Sequence, residues 1–265
     1  MTGIERLTRV FAKDDEIKLM AHAVCGFPDL RTSRRILDAM AESGADIIEA
    51  QLPFSDPSAD GASIVEANCA ALRAGSRTET CLASLEGLRR TSETPILVMS
   101  YLNPLLAFGI EAIVERAAKS GFDGFIVPDY PDDEPELGFA EKCAHAGLAL
   151  VPLIAPTTSM KRAEELAAAT SSPFLYVVLR LGVTGRKTEL DVAALERLVE
   201  LKAATGKYIA AGFGIRERAQ VQALRGVADC AIVGSALVDA ARSAFEEGRD
   251  PAQSVGNIVR ALVIG

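Results

Sequence analysis

The chain has 265 residues, 49% hydrophobic and 24% charged, an ordinary balance for a globular protein with room for a substantial core. Its net charge of −8, the lack of a basic run and the absence of tryptophan argue against a nucleic-acid-binding role. No apolar run approaches the ~20 residues of a membrane span, and five scattered cysteines beside only two histidines give no zinc pattern.

Ile4, Leu7, Val10 and Phe11 recur at helical spacing, so the chain opens with a short amphipathic helix. This start carries acids and has no apolar core, unlike a signal peptide, so free thiols in a reducing cytoplasm are expected. Residues 18–25 read as an apolar strand and 29–43 as a helix, with Ile36, Leu37 and Met40 on its dry side and Gly44 as its cap. A second strand follows from Ile47. Side chains alternate along it, so Ile47, Glu49 and Gln51 share one face while Ile48, Ala50 and Leu52 share the other. Pro53 and Pro57 then stiffen a loop that holds Asp56 and Asp60. Helices are predicted over 62–74 and 77–91.

The same sentence repeats. Residues 95–100 form a strand, with Tyr101-Leu102-Asn103-Pro104 as its loop and a helix over 110–120. Strand 124–128 leads to Asp129-Tyr130-Pro131 and a helix ending at 146; strand 148–154 leads to Ala155-Pro156-Thr157-Thr158 and a helix ending at 169. Strand 174–179 precedes Gly182-Val183-Thr184-Gly185 and a helix over 192–204; strand 208–211 precedes Gly212-Phe213-Gly214-Ile215 and a helix over 217–224. Strand 230–233 leads to Gly234-Ser235 and terminal helices. About eight strand–helix units with near-continuous apolar strands predict a single-domain (β/α)8 TIM barrel over residues 1–265, with a short N-terminal helix. An open doubly wound sheet is the alternative, weakened by the lack of a GxGxxG after the first strand.

A barrel builds its site from the loops at the carboxyl ends of its strands. Those ends carry Glu49 and Asp60, then Tyr101 and Asn103, Asp129, Thr157, and three late glycine-bearing loops. Glycine lets backbone N–H groups approach an anion, and Gly234-Ser235 opens a helix whose N-terminus favours negative charge, so a phosphate site is predicted there. Glu49 reads either as a general acid/base or as a buried structural carboxylate. Asp60 fits a turn or helix cap as well as a site, Asp129 a loop anchor, and His22 a satisfied core histidine. Ser55 and Ser235 lack a His–Asp relay, which disfavours a hydrolase triad.

Glu49 with Pro53-Phe54-Ser55-Asp56-Pro57 and Ala59-Asp60-Gly61 resembles the signature of the tryptophan synthase alpha chain family. The resemblance continues, in order, through Tyr101–Pro104, Asp129-Tyr130-Pro131, residues 153–158, 182–185, 212–215 and 233–236. It implies a barrel lyase that splits indole-3-glycerol phosphate into indole and glyceraldehyde 3-phosphate by a retro-aldol reaction. It also implies Glu49 and Asp60 as catalytic acid and base, with substrate held by Tyr176, Thr184, Gly185, Phe213, Gly214, Gly234 and Ser235. Of these, Gly185, Gly214, Gly234 and Ser235 would grip the phosphate, and Thr184 would close a loop over the site. It implies no cofactor in this chain. The expected partner is a pyridoxal-phosphate-bearing beta chain in an alpha-beta-beta-alpha heterotetramer, with Pro53 and Asp56 facing it. Departures fall at the aromatic end: Gln51 where glycine is usual, His22 for an aromatic, Ala62 for a proline and Leu179 for a serine. A diverged barrel that binds a phosphorylated ligand and serves mainly as an allosteric partner is the alternative. If Gln51 crowds the indole pocket, Gln51→Gly raises activity.

Overall fold

The computed structural model describes residues 1–13, 16–131, 138–179, 192–212 and 214–263. A capping box between Thr2 and Glu5 opens α1 (Gly3–Ala12), as the spacing of its apolar residues predicts. The alternation then runs β1 (Lys18–Val24), α2 (Leu30–Glu42), β2 (Ile47–Gln51), α3 (Ala62–Arg73), α4 (Thr78–Arg89) and β3 (Ile96–Met99). It continues with α5 (Leu102–Phe108), α6 (Ile110–Lys119), β4 (Gly124–Ile126), α7 (Phe139–His145), β5 (Ala149–Val151), β6 (Leu153–Ile154) and α8 (Met160–Ala169). The last part is β7 (Phe174–Val178), α9 (Val192–Thr205), β8 (Tyr208–Gly212), α10 (Arg218–Ala223), β9 (Cys230–Val233), α11 (Ser235–Glu246) and α12 (Pro251–Leu262). Among the described residues no helix is long and apolar enough to cross a membrane.

All strands pair in parallel, in the order β5-β4-β3-β2-β1-β9-β8-β7-β6. The first strand is bonded to both its successor and the last strand, as a barrel requires and an open doubly wound sheet does not. The two ends of the order, β5 and β6, are separated in sequence by Pro152 alone. They are one strand interrupted where proline has no N–H to give, and the Pro152 carbonyl accepts from the Tyr176 amide at 3.0 Å across to β7. Counted that way, the eight strands make a (β/α)8 barrel.

Two apolar clusters divide along the strand alternation. Met20, Ile47, Leu97, Ile126, Phe174 and Ile232 fill the inside of the barrel together with Leu7 and Phe11 of α1, which plugs its amino end. Ile48, Ala50 and Leu52 join the outer cluster under the helices, so the predicted two faces of β2 hold. Three aspartates stitch the amino end. Asp46, Asp123 and Asp229 each stand just before a strand and accept the N–H of Leu19, Ile96 and Ile209 on the neighbouring strand, at 2.8, 2.7 and 2.8 Å. Asp123 also holds Arg6 of α1 and, at 3.3 Å, Arg89 of α4.

One element departs from expectation. Tyr101–Pro104 is not wholly a loop, because Leu102 begins α5 and Pro104 lies in its first turn, where a missing N–H costs nothing.

Candidate active site

β2 carries Glu49 and Gln51 on the face turned into the barrel, at its carboxyl end. The register between β1 and β2 sets His22 opposite Glu49. His22 is 4% exposed, Glu49 2%, Gln51 0% and Asp60 8%, so four polar side chains are buried in one place. His22 Nδ1 stands 3.4 Å from Glu49 Oε2, an ion-pair separation rather than a directed hydrogen bond. Gln51 Nε2 donates to Asp60 Oδ2 at 2.6 Å. Three atoms of this group, His22 Nε2, Glu49 Oε2 and Gln51 Oε1, have no hydrogen-bond partner. Buried polar atoms are ordinarily satisfied, and leaving three without a hydrogen bond is expensive. Such a cluster is kept for binding or chemistry rather than for stability.

The loop after β2 is built to aim Asp60 inward. Asn68 of α3 accepts the Phe54 N–H at 2.9 Å, and the Tyr101 hydroxyl accepts the Ala59 N–H at 3.0 Å. The rings of Phe54 and Tyr101 lie 5.5 Å apart and cover the loop. Gly61, not Asp60, is the N-cap of α3, and no side chain caps that helix. The helix-cap reading of Asp60 therefore gives way to a contact with Gln51.

The electrostatics follow from burial and crowding. Burial lifts Asp60 above the ordinary carboxylate range; Gln51, His22 and Tyr101 oppose this, and Glu49 adds to it. Burial works against charge on His22, but Glu49, Asp60 and Gln51 together outweigh it and raise the imidazole above its usual value. Tyr176 on β7 is pushed up by burial and then by Glu49 and Asp60, so its hydroxyl stays protonated beside them.

The glycine and serine predicted to hold a phosphate lie next to this group. Gly234 is the N-cap of α11 and Ser235 its first residue. A Cβ on Gly234 would sit 3.7 Å from the His22 Cβ, which places the amides at the start of α11 beside His22. Gly214 has a φ of +80°, a left-handed conformation that side chains rarely adopt. The site thus joins buried acids to a helix N-terminus suited to a phosphate.

Among the other predicted residues, Thr184, Gly185 and Phe213 lie outside the described residues. Pro53 is buried and Asp56 exposed on the rim. Asp129 accepts the Leu102 N–H at 2.8 Å and anchors the start of α5, as a loop anchor should. His22, read from the sequence as a satisfied core residue, belongs to the cluster instead. Lys18, Met20 and His22 alternate onto one face of β1, but only the pairing with β2 brings that face to Glu49. Among the described residues no group of three His, Cys, Asp or Glu side chains is placed to hold a metal ion.

The tryptophan synthase alpha chain family matches residues 10–262. The tryptophan synthase alpha chain of Carboxydothermus hydrogenoformans is 41% identical over 239 residues, 89% of each chain. That of Syntrophotalea carbinolica is 38% identical over 247 residues, 93% of this chain and 94% of its own. Among solved structures, a chain of Mycobacterium tuberculosis tryptophan synthase superposes with a TM-score of 0.87 at 32% identity, covering 98% of this chain and 99% of that one. With its barrel, its buried acids and a match across nearly its whole length, the chain belongs to the tryptophan synthase alpha chain family.

Proposed function

We propose that this chain, as an alpha subunit of tryptophan synthase in tryptophan biosynthesis, cleaves indole-3-glycerol phosphate to indole and glyceraldehyde 3-phosphate. The observation that carries the reading is the buried set of Glu49, His22, Gln51 and Asp60, unsatisfied at three atoms and set beside the N-terminus of α11. The substrate has matching ends, an aromatic N–H group with adjacent hydroxyls and a dianionic phosphate.

In this reading Gly214, Gly234 and Ser235 hold the phosphate through backbone donors and the dipole of α11, with Gly185 completing the grip. Tyr176 packs along the substrate beside Glu49, with Phe213 near the phosphate and Thr184 on a loop that closes the site. Asp60 accepts the indole N–H and stabilises the positive charge that builds when the ring carbon bearing the glycerol chain is protonated. Glu49 shuttles the proton, giving one to that ring carbon and taking one back from the neighbouring hydroxyl. The carbon–oxygen bond becomes the aldehyde, the carbon–carbon bond breaks, and its electron pair returns to the ring, giving indole. No cofactor is required in this chain; pyridoxal phosphate belongs to the partner beta chain. Pro53 and Asp56 on the rim after β2 would face that partner in an alpha-beta-beta-alpha assembly, in the cytoplasm. A diverged barrel kept mainly as an allosteric partner is not favoured, because the chain matches tryptophan synthase alpha chains over nearly its whole length.

Indole release from indole-3-glycerol phosphate by the purified chain, with and without a cognate beta chain, tests the reading directly. Turnover that rises with the partner is expected; none in either condition sinks it. Glu49→Gln is expected to lower kcat by about 10³-fold or more, while glycerol 3-phosphate binds as before. Retained turnover would remove Glu49 from the reaction.

A further inference from the structure

We propose that His22 is a positioning residue for Glu49: its imidazole, facing the carboxylate across the strand register, fixes that side chain at the carboxyl end of the barrel and supplies the charge opposite it. The kinetic consequence rests on the lyase reading above, whereas the pairing itself does not.

The two residues face each other across the β1–β2 register with Nδ1 and Oε2 at 3.4 Å, and both are buried. Each lacks a competing anchor at the atoms concerned. Glu49 Oε2 receives no hydrogen bond and His22 Nε2 has no partner, so with the Gln51 amide alongside, Glu49 is the charged group that the ring faces. A carboxylate taken out of water needs a cation or donors to stay charged. Among the described residues, His22 is the basic side chain in ion-pair contact with Glu49. The other titratable groups around the pair are Asp60 after β2, which Tyr101 after β3 contacts, Tyr176 on β7 and Cys230 on β9. Burial raises both tyrosines and the thiol, so they remain neutral, and Asp60 is the further charge that His22 feels. Both carboxylates therefore favour the imidazolium, consistent with the raised titration of His22.

The chain has two histidines, and His145 is exposed, so ring-carbon NMR resolves the titration of His22 with an internal reference. The His22 midpoint is expected at least about one pH unit higher in the wild-type chain than in Glu49→Gln. Equal midpoints would overturn the pairing. In the lyase assay, His22→Phe keeps a flat ring without charge. The acid limb of kcat/KM is expected to move up by about one pH unit, so that the loss of activity is largest at acid pH. His22→Gln, which keeps a donor but no charge, should also show the moved limb, and it serves if the phenylalanine disturbs folding. A uniform loss at every pH, with no movement of the limb, would reduce His22 to a packing residue and overturn the proposal. Should the wild-type chain release no indole, the lyase reading fails, yet the NMR comparison still decides whether His22 and Glu49 are paired.

Discussion

Gln51 places an amide where a smaller residue would leave space, and the amide is used. Its Nε2 donates to Asp60 Oδ2 at 2.6 Å inside the barrel, where a hydrogen bond to a carboxylate is stronger than in water. Crowding by Gln51 would make Gln51→Gly an improvement; the contact with Asp60 reverses that expectation. Gln51→Gly is expected to lower kcat/KM by about 10–100-fold, the worth of one hydrogen bond to a charged group. Steady-state kinetics on the purified variant check this, and an unchanged or higher kcat/KM would mean that Asp60 is held by its loop alone. At this scale, the inward face of β2 could be read from alternation, because Ile47, Glu49 and Gln51 are neighbours in sequence. The roles of His22 and Gln51 could not. His22 meets Glu49 only through strand pairing, and Gln51 meets Asp60 only once the loop folds back.

The elements divide their acids by end. At the carboxyl ends Glu49 and Asp60 are left with unsatisfied or crowded surroundings, whereas at the amino ends Asp46, Asp123 and Asp229 are fully employed in joining strands. Asp123 is the most heavily used. Besides the Ile96 amide, it ties α1 through Arg6 and α4 through Arg89, and burial draws Arg89 below its usual basicity. Asp123→Ala would leave two guanidinium groups confined without their counter-charge. It should cost about 3–5 kcal/mol, seen as a lower urea midpoint, with kcat of the folded enzyme unchanged because the site lies at the other end. A change within about 0.5 kcal/mol would show that water replaces the carboxylate freely. Such an aspartate looks the same in sequence as a catalytic one; only its position before rather than after a strand separates them. α5 escaped the pattern because Pro104 reads as a helix breaker, although in a first turn it is tolerated.

For the whole molecule, the ring of helices closes where α12 packs on α2. Val255, Val259 and Leu262 are buried there, Arg260 donates to Ser43 at 2.8 Å, and a Cβ on Gly256 would come within 2.9 Å of the Ser43 hydroxyl. Those three side chains alone bury about 6 kcal/mol of apolar stabilisation, comparable to the whole margin of many domains. A chain ending at Arg249 is therefore expected to lose its cooperative thermal transition by circular dichroism. A sharp melt in that truncated chain would show that the barrel stands without its last helix. The order of strands and helices was legible from end to end, since each unit is local. The closing of the ring was only inferred from their number.

The interruption at Pro152 gives the cylinder a clasp. On one side of it β5 pairs with β4, on the other β6 pairs with β7, and the carbonyl of the proline between them is hooked by the amide of Tyr176. That same tyrosine turns its ring towards Gly212 and senses the charges of Glu49 and Asp60. In the proposed lyase, the wall that would meet the substrate and the fastening of the hoop are one residue.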